Sequence, residues 1–300
     1  MSNLTSYQKG LLITLLGVLA IVPDGLLVRL INTESWTLSF WRGILIGISM
    51  TLFLIAYYRG DFWKNMLSIG WLGVVVSILT GLSTFLFVFA LTNTSVASAL
   101  FIVSTSPAFS AVFAWLLLKE HVPARTWGTV AVVLVGITVI AWGTPREGTT
   151  MLGNLAALAI ALILATNFSL IRYFNGADML PAVAIGGFLS ALYALPFTNS
   201  FALSGQQWGY MLLLGGLFLP LAFSLMYIGP RYIPAPEVSL LLLLEAVLSP
   251  ILVWLVIGEQ PGRATLVGGA IILAALAVNG AIPFLIPSAG KDRIEISADG

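Results

Sequence analysis

The sequence has no cysteine and a single histidine, His121. Without thiols there is no disulfide framework, and one imidazole cannot assemble a zinc, haem or iron–sulfur site. No metal and no cofactor is expected. Charge is almost as scarce: 13 Lys+Arg and 12 Asp+Glu make 8% of 300 residues, against roughly 25% in soluble globular domains. So few charges cannot coat a water-soluble monomer, and the hydrophobic content excludes the disordered class. The net charge is +1, and neither a Lys/Arg run nor an RNA-binding signature is present, so nucleic acid is not a partner. What fills the chain is apolar: hydrophobic residues are 59% of it and the mean hydropathy is +1.03. The lipid bilayer is the expected surrounding.

A spanning helix needs about 20 mostly apolar residues. Residues 65–118 and 179–230 hold no Asp, Glu, Lys, Arg or His, and each has room for two spans, parted at Thr92-Asn93-Thr94 and at Ser200 to Gln207. The same ruler gives ten segments near 9–30, 36–57, 68–90, 94–118, 125–143, 150–173, 180–199, 206–229, 235–257 and 263–286. The first is too long for a cleaved signal peptide and lacks a small-residue cleavage site, so it reads as a retained helix. Lys9, Arg59, Lys64, Lys119, Arg125, Arg172, Arg231, Lys291 and Arg293 fall on the N-terminal side of this threading. Arg29, Arg146 and Arg263 fall on the other, which places both termini in the cytoplasm.

The polar stretch Gly143 to Thr150 divides the spans five and five. Ser106 to Glu120, with Trp115 five residues before the Glu, matches Glu245 to Glu259, with Trp254 five residues before the Glu. A five-span unit repeated in tandem enters the membrane from opposite sides, so Glu120 is expected at the cytoplasmic face and Glu259 at the external one. The expected fold is an all-α polytopic membrane protein of ten transmembrane helices, in two inverted-topology five-helix repeats. Their bounds are 1–145 and 146–290, with a cytoplasmic polar tail at 291–300.

Pro23-Asp24-Gly25-x-x-x-Arg29, Phe40-Trp41-Arg42, and Thr94 to Ala99 through Ser106-Pro107 to Leu118-Lys119-Glu120 resemble the drug/metabolite transporter superfamily, EamA-like branch. Glu245-Ala246-Val247 to Gly258-Glu259 is similar to that family's Glu-Pro-Val to Gly-Glu, with Ala246 where many relatives carry proline. Among its exporters the chain looks most like those for aromatic amino acids. The resemblance implies a basket of ten helices around a central cavity, with the fifth and tenth spans peripheral, in the cytoplasmic (inner) membrane. It also implies export of amino acids and related small metabolites.

An ionisable group at mid-bilayer costs at least about 2.5–3.5 kcal/mol on insertion scales, so it must be paired, solvated or functional. Asp24, Arg42, Glu237 and Glu245 qualify. With the first turn centred near residue 33, Asp24 lies nine residues before it and Arg42 nine after, at one depth and within reach of each other. Two roles stay open: an ion pair fixing the hairpin, or a contact for the carboxylate or ammonium of a solute. Glu245 lies roughly 15 Å along its span, close to the midplane, and shares a broad face with Glu237 and Ser249. A hydrogen-bonded structural carboxyl, a proton carrier and an ammonium-binding group are all compatible with that position. Glu237, near the interface and after Pro234 and Pro236, suits a helix-terminal role.

Polar and aromatic residues at similar depth complete the candidate cavity: Trp41, Thr80, Thr84, Phe85, Phe101, Thr105, Asn167, Tyr193 and Tyr227. Each has packing as its plainer role. Pro23, Pro107, Pro220 and Pro250 mark candidate hinges or kinks. Export by alternating access is the leading functional expectation. A broad-specificity drug or metabolite efflux carrier is the alternative, and an intramembrane enzyme is remote because no catalytic constellation is visible.

Overall fold

A computed structural model describes residues 6–118, 124–142, 150–173, 178–228 and 235–285, and these are helical apart from short connections. The helices are α1 (Ser6–Ile21), α2 (Asp24–Ile31), α3 (Ser35–Tyr58), α4 (Phe62–Ser68), α5 (Gly70–Asn93), α6 (Val96–Val103), α7 (Ser106–Leu118), α8 (Ala124–Trp142), α9 (Met151–Tyr173), α10 (Leu180–Ala194), α11 (Gly205–Met211), α12 (Leu219–Ile228), α13 (Ala235–Ile257) and α14 (Arg263–Leu285). A π-helical stretch, Leu212–Phe218, joins α11 to α12. Among the described residues, five helical runs are long and apolar enough to cross a membrane: Gln8–Ile31, Ser35–Ser68, Gly70–Asn93, Leu180–Phe197 and Gly205–Met226. The bundle turns apolar side chains outward, with Leu52, Leu67, Leu255 and Trp142 among its exposed residues. That is the surface of a protein solvated by lipid.

Helix breaks follow local chemistry. Pro23 lacks the amide that would continue α1, and α2 restarts at Asp24. Asn32 ends α2 in the left-handed region at φ 40°, which Asn tolerates better than most residues. The Thr92-Asn93-Thr94 break is real: α5 ends at Asn93, and Ser95 caps α6 by accepting the Ser98 amide. Pro107 stands in the first turn of α7, after the break at Ser104–Thr105. Pro220 opens α12 after the π stretch. Pro250, by contrast, lies inside the continuous helix α13. Ser204 and Gln207 form a reciprocal capping box on α11.

The helices pack mainly between the two halves of the chain. α10 lies against α3 and α5, α9 against α5, α6 and α7, α12 against α1, α13 against α1, α2 and α6, and α14 against α8 and α6. Small residues allow the closest approaches. A Cβ at Gly187 would stand 2.6 Å from the Gly47 amide nitrogen and 3.0 Å from the Gly43 carbonyl oxygen. At the α8–α14 crossing a Cβ at Gly136 would meet the Gly268 carbonyl at 2.9 Å. Both obstacles are backbone, which cannot swing aside. Gly187→Ala is therefore expected to cost about 1–3 kcal/mol by overpacking, read as a lower melting temperature of the purified protein. Gly128→Ala in α8, where a Cβ meets nothing within 4 Å, should be neutral or stabilise by up to about 1 kcal/mol.

One end of the bundle is closely tied. Thr37 donates to the Ser200 carbonyl at 2.6 Å, Trp41 Nε1 to the Phe201 carbonyl at 2.9 Å, and Gln207 Nε2 to the Ile31 carbonyl at 2.8 Å. The Thr150 amide donates to Asn93 at 2.7 Å, and Ser35 bonds Thr92 at 2.8 Å. These bonds gather the connections after α2, α5 and α10, with the start of α9, onto one rim.

Candidate functional site

The break at Pro23 places Asp24 in the first turn of α2, facing α3 two turns into that helix. Arg42 Nη2 donates to Asp24 Oδ2 at 2.6 Å, and the two residues are 3% and 2% exposed. The equal-depth expectation for these residues holds: they pair. A second arm of the guanidinium, Nη1, donates to the Thr84 carbonyl of α5 at 3.3 Å, and its carbon lies 5.0 Å from the Phe87 ring centroid. A buried charge is thus held by an opposite charge, a backbone dipole and an aromatic face. The coordination is incomplete. Asp24 Oδ1 and Arg42 Nε have no hydrogen-bond partner among the described residues.

α13 supplies a third ionisable group. Glu245 lies within electrostatic range of both Asp24 and Arg42. One turn on, Ser249 is fully buried with its hydroxyl unpartnered among the described residues, and a Cβ at Gly25 would come within 3.0 Å of that hydroxyl. The glycine after Asp24 therefore permits the approach of α2 to α13. Glu245 is not sealed as the pair is: Leu241, Glu245, Leu248 and Leu252 form a stripe of partial exposure, distinct from the outward Leu244, Val247, Ile251 and Trp254. Chemically the cluster offers a cation, two carboxyls and unspent hydrogen-bonding capacity on an apolar background. That suits a small solute bearing charged groups on an apolar body.

The remaining candidates fall into separate places. Asn167 of α9 donates to Thr80 Oγ1 at 3.3 Å, and its own oxygen is buried without a partner among the described residues. Thr84 contributes its carbonyl to Arg42. Phe85 and Tyr193 meet edge to face, and Phe85 also stacks on Trp36, which in turn contacts Phe89 and Phe197. This aromatic cluster lies about a turn and a half nearer the start of α3 than Arg42. Trp41 packs on Phe40 and Trp208 at the tied rim. Phe101 is wedged against Gly269 of α14, and Thr105 is fully buried, donating back to the Ile102 carbonyl. The side chains of Tyr227 and Glu237, with Glu120 and His121, lie outside the described residues.

Sequence reasoning missed three partners: the Thr84 carbonyl, the Phe87 face and the close Gly25–Ser249 approach. A backbone acceptor carries no residue signature, and nothing distinguishes Phe87 from its neighbours Phe85 and Phe89. At the tied rim, a cavity of about 350 Å³ is lined by Val28, Arg29, Asn32, Thr33, Glu34, Ser35 and Thr92.

Comparison with known proteins agrees with this architecture. The EamA-like transporter family matches residues 8–142 and again residues 151–281, so one family unit occurs twice in the chain. An uncharacterized transporter of Bacillus subtilis (strain 168), YdfC, is 28% identical over 182 residues. That match takes in 58% of this chain, and the chain spans 59% of the relative's length. One solved crystal structure matches 93% of this chain and 99% of its own, with a TM-score of 0.65 and 20% identity. That likeness is one of fold alone.

Proposed function

The chain belongs to the EamA-like transporter family, whose members are transporters and not enzymes, and on that premise we propose that it exports amino acids with apolar or aromatic side chains. In this reading ten spans form two inverted five-helix repeats, α1 to α8 and α9 to α14, with both termini in the cytoplasm and the rim of Arg29 and Glu259 outside. The packing supports the symmetry. Exchanging the halves maps the α3–α10 contact onto itself and likewise the α8–α14 and α6–α13 contacts, while α5–α9 maps onto the contact between α12 and α1.

The observation that carries the reading is the Asp24–Arg42 pair with Glu245 beside it at the junction of the repeats. An amino acid brings one carboxylate and one ammonium, the two charges that this cluster complements. The apolar lining suits the side chain. Rocking of the halves would expose the cluster to each side in turn.

The test is flux into liposomes that contain only the purified protein. Phe, Trp and Leu are expected to move at least about tenfold faster than Asp or Lys. Proton coupling would appear as dependence on a pH gradient. Absence of amino-acid flux under either condition, with other metabolites carried, would overturn the substrate class.

A further inference from the structure

Arg29 and Glu259 are 230 residues apart in sequence and meet at the tied rim. Arg29 Nε lies 2.9 Å from Glu259 Oε2, and its Nη2 donates to Glu259 Oε1 at 3.3 Å and to the Thr94 carbonyl at 2.8 Å. Glu259 Oε1 also accepts the Val96 amide at 3.0 Å, an acidic cap on the first residue of α6. Four segments converge on these two side chains: the end of α2, the α5–α6 turn, the start of α6 and the α13–α14 connection. Gly258, at φ +72°, ends α13 in a conformation that L side chains rarely adopt, and Glu259 follows it directly. Beneath the pair, the Ser98 and Thr265 hydroxyls, 2.9 Å apart, link α6 to α14.

We propose that Arg29 and Glu259 form a latch that holds the outer mouth closed in the conformation described, and that the latch must open for solute release. The argument rests on which segments are joined. Arg29, Thr94 and Val96 belong to the first half of the chain and Glu259 to the second, so any opening of this rim between α2 or α6 and the α13–α14 connection must separate them. The other bonds between halves at the rim run to backbone carbonyls or between neutral partners, apart from Asn199 to Glu34 at 2.9 Å. Arg29–Glu259 is the rim's charge-to-charge contact among the described residues. Arg29 also lines the 350 Å³ cavity on the first-half side of the rim. Both side chains are 25% exposed. A pair so placed adds little to global stability, yet it biases a two-state equilibrium whenever it exists in one state only.

The inference rests on the transporter reading for its purpose, but its test does not use flux. Because the chain has no cysteine, spin labels at Thr33→Cys and Gln260→Cys report the separation of the α2 end from the α13–α14 connection. Glu259→Gln keeps an oxygen for the Val96 amide while removing the ion pair. With the latch, the parent should show mainly a short distance with a minor longer one, and Glu259→Gln should raise the population of the longer one about tenfold. Arg29→Gln should do the same, the double variant no more than either alone, and Arg29→Lys should fall between. An unchanged distance distribution in folded Glu259→Gln protein would overturn the latch, even if amino-acid flux is found. A shifted distribution without amino-acid flux would keep the latch and fail only the substrate assignment.

Discussion

Arg42→Leu is expected to destabilise the purified protein by about 3–5 kcal/mol, the typical cost of removing one partner from a buried ion pair. The cost arises on the other side. Asp24, 2% exposed, would be left with a carboxylate that no other described residue neutralises. Neutralising both partners, Asp24→Asn with Arg42→Gln, should recover most of the loss, because the penalty belongs to the unpaired charge rather than to the missing bond. Thermal unfolding in detergent measures both. A double variant no more stable than Arg42→Leu would mean that the Thr84 and Phe87 contacts, and not the pair, anchor the guanidinium.

The second large effect is on transport. Glu245→Gln keeps the shape of the side chain and removes only its ability to ionise, so melting temperature should change little while apolar amino-acid flux falls at least about tenfold, or about 1.4 kcal/mol in the barrier. The two variants separate the two halves of the cluster. The pair has almost no accessible surface, so its loss is felt in folding as well as in solute binding, whereas Glu245 keeps accessible surface and its loss is felt in flux. A Glu245→Gln protein that unfolds but transports normally when refolded would reverse that division.

Much of this architecture was legible because bilayer constraints are coarse and strong. Uncharged runs of spanning length located the helices, and the Thr92-Asn93-Thr94 break falls where α5 gives way to α6. The Asp24–Arg42 contact was legible for a related reason: two charges equidistant from a tight turn share a depth, and burial leaves them little choice but to meet. The split of the first span at Pro23 follows from the missing amide. What was not legible depended on the packing of remote segments. Leu212–Phe218 reads as an ordinary apolar helix, and nothing in Leu-Leu-Leu-Gly-Gly-Leu-Phe announces a π stretch. Phe85, Phe101, Tyr193 and Trp41 sat at suitable depths for one cavity, yet depth alone does not give azimuth. The fold distributes them among an aromatic cluster, a helix crossing and a rim. Glu259 stood out only by its mirror relation to Glu120, and no local signal linked it to Arg29.

The central claim is that the Asp24–Arg42–Glu245 cluster receives the solute, and calorimetric titration of phenylalanine tests it most directly. The purified parent should bind, and the Asp24→Asn/Arg42→Gln protein, once shown to be folded, should bind at least about tenfold more weakly. Equal binding by the two proteins would contradict the account and leave the pair a purely structural brace.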